Sequence, residues 1–307
     1  MKIPSYFGVA AISLSGLYLC QAQQASSFST SSSVTIISRD ANSKIWERTV
    51  YKQMPNGQVI TNKHQYMELA TGLCYQQNGQ WVDSQEQINI LPDGSTAATN
   101  GQHQAYFPAD IYNGVIKLVT PEGLQLQSQP VGLSYDDGTN TVLIAELTNS
   151  VGQLISPNQV IYTNAFVGLN ADLLYTYTKA GFEQDIILNE QPQTPEYYGL
   201  NPQTVCLQLI TEFFNPPQPT VTTTQLPEQA GLTILDDLLD FGAMKMVPGR
   251  AFLLGANAEE GQAMVGKQWM SLSGRQFLIE EVPVAAIADQ LSQLPPIQTT
   301  FRKATSP

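Results

Sequence analysis

The chain is punctuated by turn signals at short intervals. Asn56-Gly57, Asn78-Gly79, Asp93-Gly94 and Asp137-Gly138 each stand between runs rich in aromatic and β-branched residues. Asn-Gly and Asp-Gly supply the positive-φ positions that tight hairpin turns need. Turn signals this frequent leave little room for long helices and read as short strands of an all-β fold.

The runs between the turns fit that reading. Trp46–Tyr51 and Val59-Ile60-Thr61 flank Met54-Pro55-Asn56-Gly57-Gln58, a hairpin pattern. Leu73-Cys74-Tyr75 and Trp81-Val82-Asp83 flank Asn78-Gly79 in the same way. Leu124–Ser128 and Val205–Thr211 alternate apolar and polar residues, as half-buried strands do. Leu173–Thr178 and Glu183–Leu188 form another hairpin around Lys179-Ala180-Gly181. Pro216, Pro217 and Pro219 break the strand pattern. They mark either a sub-boundary at 215–220 or a crossing between two sheets. One helical spacing stands out, Ile287, Leu291 and Leu294 within Val284–Leu294. Residues 44–292 are therefore expected to form an antiparallel, β-sandwich-like region, in one or two packed sheet units, with few or no helices.

Residues 1–22 read as a secretory signal. Lys2 is followed by an apolar run from Tyr6 to Leu19, and Cys20 and Ala22 precede an expected cut at Ala22/Gln23. A lipoprotein signal at Cys20 is disfavoured, because Leu19 is not small. Residues 23–43 are Ser-, Thr- and Gln-rich and read as a linker; residues 293–307 read as a loose tail. Nothing after the signal is apolar for long enough to span a membrane as a helix. The mature chain keeps Cys74 and Cys206, which either pair in an oxidising compartment or remain buried thiols.

Charge narrows the partners. Lys and Arg number 14, Asp and Glu 26, for a net charge of -12. Such a surface repels phosphate backbones, so no nucleic-acid partner is expected. The chemistry is sparse as well. His64 and His103 are isolated, no G-x-S-x-G or phosphate-loop motif occurs, and no spacing suggests zinc. Carboxylates are the remaining resource: the Asp136-Asp137 turn, the cluster Asp236, Asp237 and Asp240, and the pairs Glu259-Glu260 and Glu280-Glu281. Clustered oxygens could hold Ca2+, and a suitably spaced acid pair could cleave glycosides. Solvated turns are the plainer account. Neighbours on a strand face opposite ways, so Glu280 and Glu281 cannot flank one bond. Trp46, Trp81 and Trp269 are candidate ligand-binding residues, as sugar-stacking faces beside amides such as Asn78 and Gln80. Core packing is their plainer role.

Three segments carry a family resemblance: Val160–Phe166, Asn170–Tyr177 and Gly181–Leu188. Together they give a Y-x-N-x-F, D-L-x-Y, G-x-x-x-D-I-I-L pattern. This resembles the β-rich segment near the amino terminus of large secreted bacterial proteins of the RHS/YD-repeat and wall-associated type. Gln80-Trp81-Val82, Gly132–Tyr135 and Leu238–Met244 are similar to these proteins too, so the resemblance spans about residues 44–292. It implies a secreted, non-catalytic β module and supplies no catalytic residues. Such segments usually precede a long repeat region. The chain stops at Pro307, which sets the expectation of a stand-alone module or a shortened member.

The combined expectation is a secreted bacterial β module with a structural or interaction role at the cell surface, and not an enzyme. Its partners would be extracellular polysaccharide or cell-surface proteins. Two alternatives stand beside it: a carbohydrate-binding module, with or without Ca2+, and a secreted polysaccharide-active enzyme using a carboxylate pair.

Overall fold

The computed structural model describes residues 29–254 and 262–297. The expected signal at 1–22 and the pair Glu259-Glu260 lie outside the described residues. The fold is all-β and antiparallel, as the turn spacing predicts. In chain order, β1 (Thr30–Arg39), β2 (Ser43–Gln53) and β3 (Val59–Leu69) form a three-stranded sheet, and β4 (Cys74–Gln77) and β5 (Gln80–Asp83) a hairpin. There follow β6 (Asn89–Ile90), β7 (Thr96–Ala98), β8 (Gln104–Phe107), β9 (Ile116–Val119), β10 (Gln125–Asp136) and β11 (Thr141–Leu147). Next come β12 (Gly152–Ser156), β13 (Gln159–Tyr162), β14 (Phe166–Val167), β15 (Ala171–Tyr177), β16 (Phe182–Leu188) and β17 (Cys206–Phe213). The last are β18 (Thr220–Gln225), β19 (Leu235–Asp240), β20 (Lys245–Met246), β21 (Gly249–Ala251), β22 (Ala263–Leu272) and β23 (Arg275–Pro283). A 3-10 turn at Val284–Ile287 and a short helix, α1 (Ala288–Ser292), occupy the segment with helical spacing.

The chain divides into two compact units. Among described residues, one holds 29–37 and 45–66, the other 38–44 and everything from 67 onward. The division does not fall at the prolines. Pro216–Pro219 lies inside the second unit, where it carries the chain from β17 in the large sheet to β18 in a separate sheet. Nor is all of 23–43 linker. Thr30–Arg39 is a ten-residue strand, because its Val, Ile and Thr residues tolerate a pleated backbone whatever the polarity of their neighbours.

In the first unit β2 is the central strand, with β1 and β3 at the edges. Trp46 stacks on Tyr66, with ring centroids 6.0 Å apart, and Lys63 Nζ pairs with Glu47 at 2.7 Å. No described hydrophobic side chain of this unit is buried.

The second unit is a sandwich. The sheet order β21-β22-β23-β17-β10-β9-β8-β7-β6 faces a four-stranded sheet, β12-β13-β15-β16. One hydrophobic cluster joins them, with Phe107, Leu133, Tyr135 and Leu207 from the first and Val160, Tyr162, Leu173 and Tyr175 from the second. The hairpin β15–β16 therefore belongs to one wall of the core. Asp172, at its base, accepts a hydrogen bond from the Asn164 backbone N–H at 2.7 Å. A smaller cluster joins Leu126, Phe213 and Leu278 to Leu239 of the β18-β19-β20 sheet.

Strand β10 is the organising element. One side pairs with β17 along most of its length; the other pairs first with β9 and then with β11. Pro130 sits at a register shift, between Pro130 and Gly132, which is where a proline is tolerated in a central strand. Gly132 is required there, since a Cβ would lie 2.3 Å from the Ala145 carbonyl oxygen.

The described start of the tail is held in place. Gln191 donates from its backbone to the Pro295 carbonyl and from its side chain to the Leu294 carbonyl, both at 2.8 Å. No described helix is long and apolar enough to cross a membrane.

Candidate functional site

Alternation along β10, β17 and β23 sorts side chains onto two faces. Leu133, Tyr135, Leu207 and Val282 enter the core. Their neighbours Asp136, Cys206, Gln208 and Glu281 line a cleft of about 450 Å³ on the opposite face. Register brings them together: Cys206 is opposite Asp136, and Gln208 is opposite both Ser134 and Glu281. Gln268 and Met270 of β22, with Leu232-Thr233-Ile234, complete the cleft.

Its polar groups form a chain. Ser134 Oγ donates to Gln208 Oε1 at 3.1 Å, and Gln208 Nε2 donates to Glu281 Oε2 at 3.0 Å. Gln268 Nε2 donates to the other oxygen, Glu281 Oε1, at 3.1 Å. Cys206 is a thiol here. Burial first, and then the charges of Glu281 and Asp136, push its pKa up to about 12. The cleft lining contains no histidine, lysine or arginine, so no cation of the lining lowers the pKa of that sulfur. The arrangement presents amide and carboxylate oxygens to a ligand that brings hydroxyl or amide donors.

Glu280 behaves differently from its neighbour, as strand alternation requires. It pairs in register with Lys267, and burial above all raises its pKa to about 7, against the pull of Lys267. Lys267 Nζ also donates to Asp236 Oδ1 at 2.6 Å. Asp237 accepts from Thr223 Oγ1 at 2.6 Å and from the Trp269 backbone N–H at 2.8 Å. Asp240 pairs with Lys245 at 2.9 Å. In the Asp136-Asp137 turn, Asp136 accepts from Gly138 N–H at 2.8 Å and from the Thr141 hydroxyl. Asp137 accepts from the Thr139 and Asn140 backbones, and these bonds lower its pKa. Among described residues no three potential metal ligands of the Asp, Glu, His and Cys type gather.

The three tryptophans lie in three different sheets. Trp46 is on β2, Trp81 on β5 and Trp269 on β22. Trp269 packs edge-on against Phe213 at 5.0 Å and Phe241 at 6.1 Å, beside the smaller cluster. Trp81 is half-buried in its hairpin, whose Asn78 and Gly79 both adopt positive φ, at 52° and 77°. None of the three lines the cleft. His64 is exposed on β3. His103 packs on Tyr177 at 4.8 Å, and burial lowers its pKa.

Cys74 and Cys206 are both free thiols. The amide clamp on Glu281 was not legible in the sequence as a site. Its one available signal was the alternation that puts Gln208 and Glu281 on the face away from Leu207 and Val282. Comparison with protein-family models, with curated proteins and with solved structures finds no match to this chain.

Proposed function

We propose that this chain is a secreted, non-catalytic bacterial β module with an interaction role at the cell surface. The observation that carries the reading is the sheet of β1, β2 and β3. It buries no hydrophobic side chain, yet both of its faces expose apolar residues, with Val34 and Ile37 on opposite faces of β1 and Val59 and Ile60 on opposite faces of β3. A three-stranded sheet gains its stability from a covered apolar face, and exposed apolar surface of this kind is the ordinary mark of an interaction site. The resemblance of residues 160–188 to segments of secreted wall-associated proteins supports the same reading.

The test is retention. The chain, expressed with its leader, is expected in the cell-envelope fraction. A variant with Ile37→Ser, Ile60→Ser and Tyr66→Ser is expected in the medium with an unchanged circular dichroism spectrum. Recovery of the parent chain wholly in the medium would overturn the reading.

A carbohydrate-binding role is the second reading. The amide-clamped carboxylate in the open cleft favours it, since such oxygens accept hydroxyl donors. Glycan-array binding of residues 23–307, with Ca2+ and then with EDTA, tests it. Binding lost on Gln268→Ala supports this role, and no binding in either arm removes it.

A further inference from the structure

We propose that the interaction surface has a defined occupant: edge strand β1 of one copy pairs with edge strand β18 of a second copy. This rests on the interaction reading above and names its partner. Edge strands expose unpaired N–H and C=O groups, and proteins usually guard them with charges, proline or brevity. Thr30–Ser38 of β1 carries no charge and no proline over nine residues. The other edge of that sheet, β3, carries Lys63, His64 and Glu68.

In the second unit the longest uncharged edge among the described residues is β18. Thr220-Val221-Thr222-Thr223-Thr224-Gln225 is uncharged, and every residue is exposed. It lies at the end of the β18-β19-β20 order. Other described sheet ends of this unit are shorter or charged: β6, β14 and β20 run two residues, β21 three, β4 and β5 four, and β16 carries Glu183 and Asp185. Edge β12 runs five residues, and every second one is exposed.

Charge decides which edges meet. The described part of the first unit carries Arg48, Lys52 and Lys63 against Glu47. The described part of the second carries eight Lys and Arg against 23 Asp and Glu. Pairing β1 with β1, or β18 with β18, brings like charge to like. Pairing β1 with β18 brings a basic sheet to an acidic body, which favours encounter and fixes the partner. Strand addition supplies the main-chain hydrogen bonds.

The test uses residues 23–307. Sedimentation between about 1 and 100 µM should show self-association that weakens with added salt. Thr222→Lys should weaken it about tenfold, while Thr222→Glu should preserve it. Ser33→Cys and Thr222→Cys, made in separate chains lacking Cys206 (Cys206→Ser), should form a disulfide-linked pair when mixed. Each alone should form far less. A chain that stays monomeric, association indifferent to Thr222→Lys, or equal cross-linking in the unmixed samples would overturn the pairing. A monomer that is still retained by the envelope would sink this inference and leave the interaction reading standing.

Discussion

Lys267 Nζ and Asp236 Oδ1 stand 2.6 Å apart, and their side chains keep only 3% and 2% of their surface open to water. The pair bridges β22 and β19, and so ties the large sheet to the β18-β19-β20 sheet. Removing one partner leaves a buried charge uncompensated. Lys267→Met is expected to cost about 3–5 kcal/mol. Lys267→Met with Asp236→Leu should recover much of that loss, because an apolar pair of similar volume often replaces a buried ion pair without penalty. Urea unfolding of the two variants checks it.

Glu280 makes stability depend on pH. Its pKa in the fold is about 7, against an ordinary 4.5, chiefly through burial. The folded chain therefore holds this proton more tightly than the unfolded chain. The contribution is complete below pH 4.5 and is lost as pH rises through about 7. Glu280→Gln should flatten that part of the profile and stabilise the chain at pH 8 by on the order of 2 kcal/mol, after solvent screening of a partly exposed group. Thermal melts of both chains from pH 4 to 8, a range of about four units around these values, give the comparison. A wild-type profile as flat as that of Glu280→Gln would refute the assignment.

Trp269 is a packing residue. Its indole Nε1 is buried and has no hydrogen-bond partner, while its ring rests against Phe213 and Phe241. Trp269→Phe removes the unsatisfied donor along with some contact area and should change stability by less than about 1 kcal/mol. Trp269→Ala should cost about 3 kcal/mol. Equal stability for Trp269→Ala and the parent chain, by calorimetry, would show that the ring is not holding the second cluster.

Cys206 should be a slow nucleophile. With its pKa pushed to about 12, very little thiolate exists near neutrality. Residues 23–307 should show two thiols in denaturant, slow alkylation when folded, and identical mobility with and without reductant. Glu281→Gln removes one of the charges that raises the pKa and should speed alkylation at Cys206. Rapid alkylation of the folded parent chain would contradict a half-buried Cys206 thiol held protonated by its surroundings.

Much of the fold was legible because turns and alternation are local. Asn78-Gly79 marks a hairpin through the positive φ angles both residues adopt, whereas the β15–β16 hairpin turns at Ala180-Gly181 without a positive φ at either residue. The adjacent acids Glu280 and Glu281 were bound to face opposite ways by the pleat alone. The cleft was not legible in the same way. Asp136, Gln208, Gln268 and Glu281 come from four strands and meet through registers that no short sequence window contains. Trp46, Trp81 and Trp269 drew attention as a group by residue type, but nothing in the sequence states that three tryptophans share a sheet, and they do not. Thr30–Arg39 was hidden for a compositional reason, since Ser and Thr suit a solvated edge strand as well as a linker.

By itself, then, the sequence determined the antiparallel all-β class, the hairpins and the face on which each strand residue lies. These follow from backbone sterics and a period of two. Tertiary structure decided which strands become neighbours. It divided the chain near Tyr66 instead of at Pro216–Pro219, buried Lys267 against Asp236, and set Glu281 between two amides. Those outcomes depend on contacts between residues far apart in sequence, whose energies exist only once the sheets have paired and packed.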